Sequence, residues 1–376
     1  VVSDAVCCHA NCKAPPAEVE VLSSGKGKAD EWLVGAVPLG SCQDSRKYTT
    51  IGSVHRCWTT GTHANCKHNL WRGLTERVFG VVGKEGALVR PPPPTKEGMA
   101  VLEEHAKRLG KLLPRAHPWS REQFVMSYSG QRRARYGNAA ASLESRPVTR
   151  KDAYVQTFVK AEKINFDAKA DPAPRVIQPR GARYNVEVGR YLRPIEHVVY
   201  EGIDKLYGDG ETRVVAKGRN MRERAWDMRR IWEKFKRPAA VSLDASRFDQ
   251  HVAVEALKVE HKVYLGCYGG PDKKFLARLL EWQLVNVGFA GEYKYQTQGK
   301  RMSGDMNTAM GNVLLMCFML HAEAEAQDTK VLVYDDGDDS VVFMEEEDVE
   351  RFTAGVYDRF LKYGMEMKVE SVAREF

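Results

Sequence analysis

VLVYDDGDDSVVFM, Val331 to Met344, is the stretch whose reading decides the fold. Two runs rich in β-branched and aromatic residues flank a turn of four aspartates and one glycine. Strand, acidic turn and strand predict a β-hairpin, for which Asp-Gly is among the strongest local signals. Its tip is expected to gather Asp335, Asp336, Asp338 and Asp339 close together. Carboxylates at that density repel one another. A cation would neutralise them, and hard oxygen ligands favour Mg²⁺ or Mn²⁺. The plainer alternative is a solvated acidic turn.

With 376 residues, 43% of them hydrophobic and 28% charged, the chain is long enough for two or three subdomains around a large core. The formal net charge of +7 is unevenly spread. Lys160 to Arg193 holds eight Lys/Arg and four Asp/Glu, whereas His321 to Glu350 holds twelve Asp/Glu and one lysine. A basic tract beside an acidic cluster suits a protein that holds a polyanion together with metal ions. The longest apolar run, Val313 to Leu320, falls well short of the roughly 18 residues of a membrane span. The chain begins Val-Val and carries no signal-peptide pattern, which reads as a fragment of a longer product.

Six of the eight cysteines, Cys7, Cys8, Cys12, Cys42, Cys57 and Cys66, lie near the start, among His9, His55, His63 and His68. His-Ala-Asn-Cys-Lys occurs at 9–13 and again at 63–67. These are zinc-ligand types, but no paired CxxC spacing appears, so free thiols in a reducing compartment are the expectation. A disulfide scaffold does not suit a chain of this size without a secretion signal.

Further along, Asn69 to Val82 reads as helix then strand, and Arg90 to Pro94 as a stiff extended crossing. A helix is predicted over 95–113. Another opens at Ser120, an N-cap with Gln123 at capping-box spacing, and leads into the basic run Gln131 to Arg135, whose plain reading is a solvated helix face. A strand is predicted over 153–160, then helices over 184–200 and 222–236 and a strand over 239–243. Two helices broken at Gly269-Gly270-Pro271 fill 253–287, and a buried helix spans 308–326. A helix over 348–363 and a strand over 366–372 follow the hairpin. The class is α+β.

Three further segments add to the hairpin. In VSLDASRFDQH, residues 241–251, a short apolar strand ends at Asp244, a rigid place to present a ligand, and Asp249 follows five residues later. In GKRMSGDMNTAMGN, residues 299–312, Ser303-Gly304 turns into a helix that carries Thr308 and Asn312 on one face. Both side chains can bond a sugar hydroxyl. The basic tract Val159 to Arg183 offers Lys160, Lys163, Arg175, Arg180 and Arg183 to phosphates.

A Lys/Arg tract, then DxxxxD, SGxxxTxxxN and GDD, in that order, resembles the motifs of viral RNA-dependent RNA polymerases. FVKAEK, PRVIQPR, RYNVEVGRYL, LDASRFDQH, SGDMNTAMGN and DDGDD are similar to the replicases of tombusvirus-like plant viruses, which include carmoviruses and luteoviruses. The resemblance runs from about Asn69 to Val369.

It implies a right-hand polymerase fold with palm and fingers. Residues 1–68 would form a Cys-rich segment of unclear structure and 69–238 mainly fingers. Residues 239–376 would be mainly palm, with a finger insertion at about 253–298, and the thumb would be absent. Asp244 and Asp338 would be the principal ligands of two Mg²⁺ ions (or Mn²⁺), with Asp339 as a third catalytic carboxylate. Lys160, Lys163 and Arg175 would lie over the triphosphate. Asp249 and Asn312, with Ser303, Gly304 and Thr308, would form the ribose site. Lys368 would be a general acid. The partners implied are template and nascent RNA, ribonucleoside triphosphates, a viral auxiliary replication protein and host factors, in a membrane-associated replication complex of the host cytoplasm. A thumbless fragment is expected to copy RNA poorly. Two other readings stay open here: an RNA-binding module with zinc in its N-terminal segment, and a reverse transcriptase, in which a bulky residue usually stands where Asp249 does.

Overall fold

The protein is described from a computed structural model, over residues 31–35, 45–49, 59–82, 88–165, 168 and 171–376. The elements that position the site are, in chain order, strand β1 (Trp32–Val34), helix α1 (Lys96–Gly110), helix α2 (Gly130–Ser145), strand β2 (Val155–Gln156), helix α3 (Ala182–Tyr207) and helix α4 (Met221–Trp232). Strand β3 (Pro238–Ala245), helices α5 (Val254–Gly266) and α6 (Gly270–Glu281), and strands β4 (Val285–Ala290) and β5 (Tyr293–Gln298) follow. Helix α7 (Thr308–Ala326), the hairpin β6 (Leu332–Asp335) and β7 (Asp339–Glu345), and strand β8 (Met367–Ala373) complete the set. The fold mixes helices and sheets, as expected.

The central sheet has the order β6-β7-β3-β8, antiparallel throughout. Period-2 alternation explains β3. Ala239, Val241, Leu243 and Ala245 enter the core, while Asp244 between the last two faces out. The register places Asp244 directly opposite Asp339 on one side and Lys368 on the other. The hairpin turns at Gly337, whose φ of +106° excludes most side chains, and the Asp336 amide donates to the Asp339 carbonyl at 2.8 Å.

Helix α7 is apolar around its whole circumference, the signature of a helix enclosed on every side. Every residue from Met310 to Ala324 is buried, and α7 packs on α1, α3, α5 and β6. A second sheet, β1-β5-β4-β2, is antiparallel except for β4 with β2, and shares a core with Leu70, Leu74 and Phe79. No helix among the described residues is long and apolar enough to cross a membrane.

Several expectations need correction. Residues 153–160 are not one strand: Val155–Gln156 and Phe158–Val159 serve different sheets. The region 253–287 ends in β4 rather than in helix. The segment 348–363 is not one helix; it breaks at Gly355, which adopts φ +64° between Val349–Thr353 and Val356–Phe360. Residues 7, 8, 9, 12, 42, 55 and 57, which raised zinc as an alternative to the expected free thiols, lie outside the described residues, as does most of 1–68.

Candidate active site

The site is built where β3 ends, the hairpin turns and the loop before α7 meets the short helix Phe248–His251. Directly opposed residues on paired strands hold their Cβ atoms about 4.5–5.5 Å apart, so the register alone brings Asp244 to Asp339 across a sequence gap of more than ninety residues. Asp338 stands beside them at the turn. All three are exposed. Burial first, then the charges of Asp338, Asp244, Asp336 and Glu370, push the Asp339 carboxyl above the usual carboxylate range. No ion pair joins Asp244, Asp338 or Asp339 to a basic side chain among the described residues.

The other two aspartates of the turn do not join this group. Asp335 is fully buried against Cys317 of α7, and burial holds its carboxyl far above the usual range. Asp336 is gripped from the far side. Lys217 Nζ donates to its carbonyl at 2.6 Å and pairs with its carboxylate at 2.8 Å, and Arg224 pairs with it at 2.7 Å. Burial opposes ionisation there, yet these two cations hold the Asp336 carboxyl below its ordinary range. The turn therefore points two carboxylates outward and anchors two.

Asp249 lines an adjoining pocket with Ser303, Arg175 and Asp338. Its Oδ2 accepts from Ser303 Oγ and its Oδ1 from Asn312 Nδ2 at 3.1 Å. Burial raises its pKa, and these two hydrogen bonds offset part of that rise. Gly304 carries the adjoining turn at φ +125° against Pro179. Thr308 is not drawn into the cluster; its hydroxyl donates to the Met302 carbonyl at 3.3 Å and steadies the loop.

An open cleft of about 550 Å³ is lined by Asp244 and Asp338 together with Lys163 and Arg175. Lys160 pairs with Glu162 at 2.9 Å, and Arg175 shares that carboxylate at 3.3 Å. Two members of the basic tract are structural instead. Arg180 is buried on Asp305, and Arg183 is tied to Asp152 at 2.9 Å and to carbonyls of the α2–β2 connection. Lys368 lies exposed beside Asp244.

Sequence reading missed two cations of the cleft, Arg77 and Arg247. Arg77 lies in the π-helical turn Thr75–Phe79, and burial and the neighbouring Arg247 and Arg175 lower its pKa. Arg247 adopts φ +51° and donates to the Glu76 carbonyl at 2.6 Å. Arg247 was visible inside LDASRFDQH, next to the carboxylates that drew the reading. Arg77 gave no signal.

Exposed carboxylates with no cationic partner among the described residues are the donor set hard divalent cations prefer. They fit such ions, although among the described residues they do not converge into a ready three-ligand cage.

A family profile described as viral RNA dependent RNA polymerase matches residues 36–376, a wider span than the motifs alone suggest. The chain is 42% identical over 352 residues to the RNA-directed RNA polymerase of Tobacco necrosis virus (strain A), covering 93% of this chain and 48% of that protein. To that of Turnip crinkle virus it is 46% identical over 318 residues, 84% of this chain and 40% of the relative. To that of Cymbidium ringspot virus it is 44% identical over 314 residues, 82% and 38%. The chain belongs to the viral RNA-dependent RNA polymerase family. It spans half or less of the length of these relatives.

Proposed function

We propose that the protein carrying this chain is an RNA-directed RNA polymerase that transfers ribonucleoside monophosphates to an RNA 3′-hydroxyl by a two-metal mechanism. The observation that carries this reading is the register of Asp244 against Asp339, with Asp338 beside them lining both the cleft that holds Asp244 and the adjoining pocket that holds Asp249 and Ser303. In this reading the central sheet with α7 is the palm and most of 69–238 the fingers, with 253–298 inserted.

Asp244 and Asp338 would hold the ions, with Asp339 in support; Mg²⁺ suits oxygen-only ligands, and Mn²⁺ can replace it. Ions held there would supply positive charge to stabilise an in-line phosphoryl displacement. Arg175, Lys163, Arg77 and Arg247 face the same cleft and offset triphosphate charge, the main task in phosphoryl transfer. Lys160 shares the Glu162 carboxylate with Arg175, so that carboxylate cancels less of the Arg175 charge.

Asp249 retains lone pairs after bonding Ser303 and Asn312, so it accepts a hydrogen bond from a ribose 2′-hydroxyl. That hydroxyl separates ribo- from deoxyribonucleotides. Lys368, next to Asp244 across the sheet, is the candidate proton donor to pyrophosphate. RNA template and product are the macromolecular partners, and auxiliary viral and host proteins at a cytoplasmic membrane complete the proposed setting.

The test is incorporation of labelled ribonucleotide on a primed RNA by the full-length protein carrying this chain. Asp338→Ala should reduce it by roughly three orders of magnitude. Activity indifferent to that change, or to chelation of divalent ions, would remove the reading.

A further inference from the structure

The sugar-facing cluster is the front end of a buried polar chain. Arg301 is 2% exposed and Glu260 fully buried. The guanidinium grips that carboxylate with both forks, Nη1 to Oε1 at 2.8 Å and Nη2 to Oε2. Its remaining direction, Nε, donates to Asn312 Oδ1 at 2.9 Å. Glu260 is held in turn by Asn307 Nδ2 at 2.5 Å and by the Tyr264 hydroxyl at 3.2 Å. Gly311, one residue before Asn312, leaves the room: a Cβ there would overlap Arg301 and both Glu260 oxygens.

This fixes which way the Asn312 amide faces. With Oδ1 on Arg301, only Nδ2 remains to meet Asp249. A flipped amide would set its NH₂ against the guanidinium, donor on donor, and its oxygen against the Asp249 carboxylate, acceptor on acceptor. Both faults would be buried, where unmade hydrogen bonds cost most. An ion pair so deep is a poor source of stability, since well-packed apolar residues serve as well. Its directional constraint is something apolar residues cannot supply.

We propose that Arg301, backed by Glu260, is a positioning residue that sets the Asn312 amide and so holds Asp249 in the orientation that selects ribose. The inference rests on the polymerase reading above and extends it to two residues that do not touch the nucleotide. Lysine at position 301 keeps the charge but loses the planar fork that serves Glu260 and Asn312 together. Glu260→Gln keeps the shape and replaces one acceptor by a donor facing the guanidinium.

The experiment measures kcat and KM for single incorporation of ATP and of 2′-deoxy-ATP on a primed RNA. It uses the full-length protein carrying this chain, as wild type, Arg301→Lys, Glu260→Gln, Asp249→Ala and the Arg301→Lys/Asp249→Ala double variant. Arg301→Lys and Glu260→Gln should each lower the ribose preference roughly ten-fold, the scale of one buried hydrogen bond. The loss should fall on ATP, with the deoxynucleotide constants within about three-fold of wild type. The double variant should discriminate no worse than Asp249→Ala alone, because both changes break one chain.

Equal losses on ATP and 2′-deoxy-ATP would overturn the proposal in favour of a purely structural pair, as would unchanged discrimination. If neither variant folds, as judged by circular dichroism and thermal melting, the pair is a core device and the proposal falls. A wild-type protein that incorporates no nucleotide would instead sink the polymerase reading itself, a separate result.

Discussion

Arg180 provides the sharpest contrast between a basic residue that serves the fold and one proposed to serve a ligand. It lies in PRVIQPR, five residues after Arg175, and nothing in one dimension separates the two. In the fold its side chain is 1% exposed. Nε meets Asp305 Oδ1 at 2.5 Å, Nη2 meets Asp305 Oδ2 at 3.0 Å and Asn286 Oδ1 at 2.6 Å, and Nη1 meets the Ala153 carbonyl at 2.9 Å. Arg180→Met would leave the Asp305 carboxylate and two further acceptors buried without this partner. Breaking one side of a buried pair costs ~3–5 kcal/mol. An unfolding entropy of ~2.1 cal/mol/K per residue over 376 residues amounts to about 0.8 kcal/mol/K, so the melting temperature should drop by about 4–6 °C. Replacing Asp305 as well, in Arg180→Met/Asp305→Leu, should restore much of the loss, because no charge is then stranded. Arg175→Met should do the reverse, weakening triphosphate binding with little change in melting. Differential scanning fluorimetry and equilibrium nucleotide binding on the same samples measure both quantities. If Arg180→Met melts with the wild type but binds triphosphate more weakly, the division between the two arginines is wrong.

Other expectations follow from the same contacts. Lys217→Met should free the Asp336 side of the turn and lower incorporation roughly ten-fold. It should cost less than about 1 kcal/mol of stability, because the pair is partly exposed; equal effects on melting and rate would deny the anchoring role. Burial pushes the His261 pKa down to about 4 and that of His321 to about 3, against 6.5 in the unfolded chain. The unfolded chain therefore takes up these protons first, so stability present above about pH 6.5 drains away as pH falls toward 4, by about 3 kcal/mol for His261 alone. Urea midpoints between pH 4 and 7 should show that slope. His321→Phe, which preserves the stack on Tyr207 at 3.9 Å, should flatten part of it. Gly337→Ala places a side chain at φ +106° and should abolish most incorporation while costing ~1–3 kcal/mol; full activity would mean that the turn tolerates another path.

Features with a strong one-dimensional signature were legible. The bounds of α7 follow from an apolar stretch too long for a strand and apolar on every side, and the hairpin from Asp-Gly between β-branched runs. The paired helices α5 and α6 separate at the Gly-Gly-Pro break. What failed depended on the third dimension. Val285–Ala290 continues directly from helical sequence with no breaker, and pairing with β5 and β2 makes it a strand. Four aspartates in a turn look alike until packing sends Asp335 inward and Lys217 claims Asp336. Arg77 and Arg247 meet at the cleft from opposite ends of a long interval, with no periodicity to announce it.

Helix α7 and the aspartate turn also touch. A side chain at Gly337 would begin 3.5 Å from the Asn312 Cβ. In the proposed mechanism, the residue that helps check the sugar and the turn that presents the carboxylates are therefore neighbours with no spacer between them. A larger residue at 312 would lean on the turn, and a shifted turn would press back on the sugar check. Accuracy and speed would share one joint, and selection for either would leave its mark on the other.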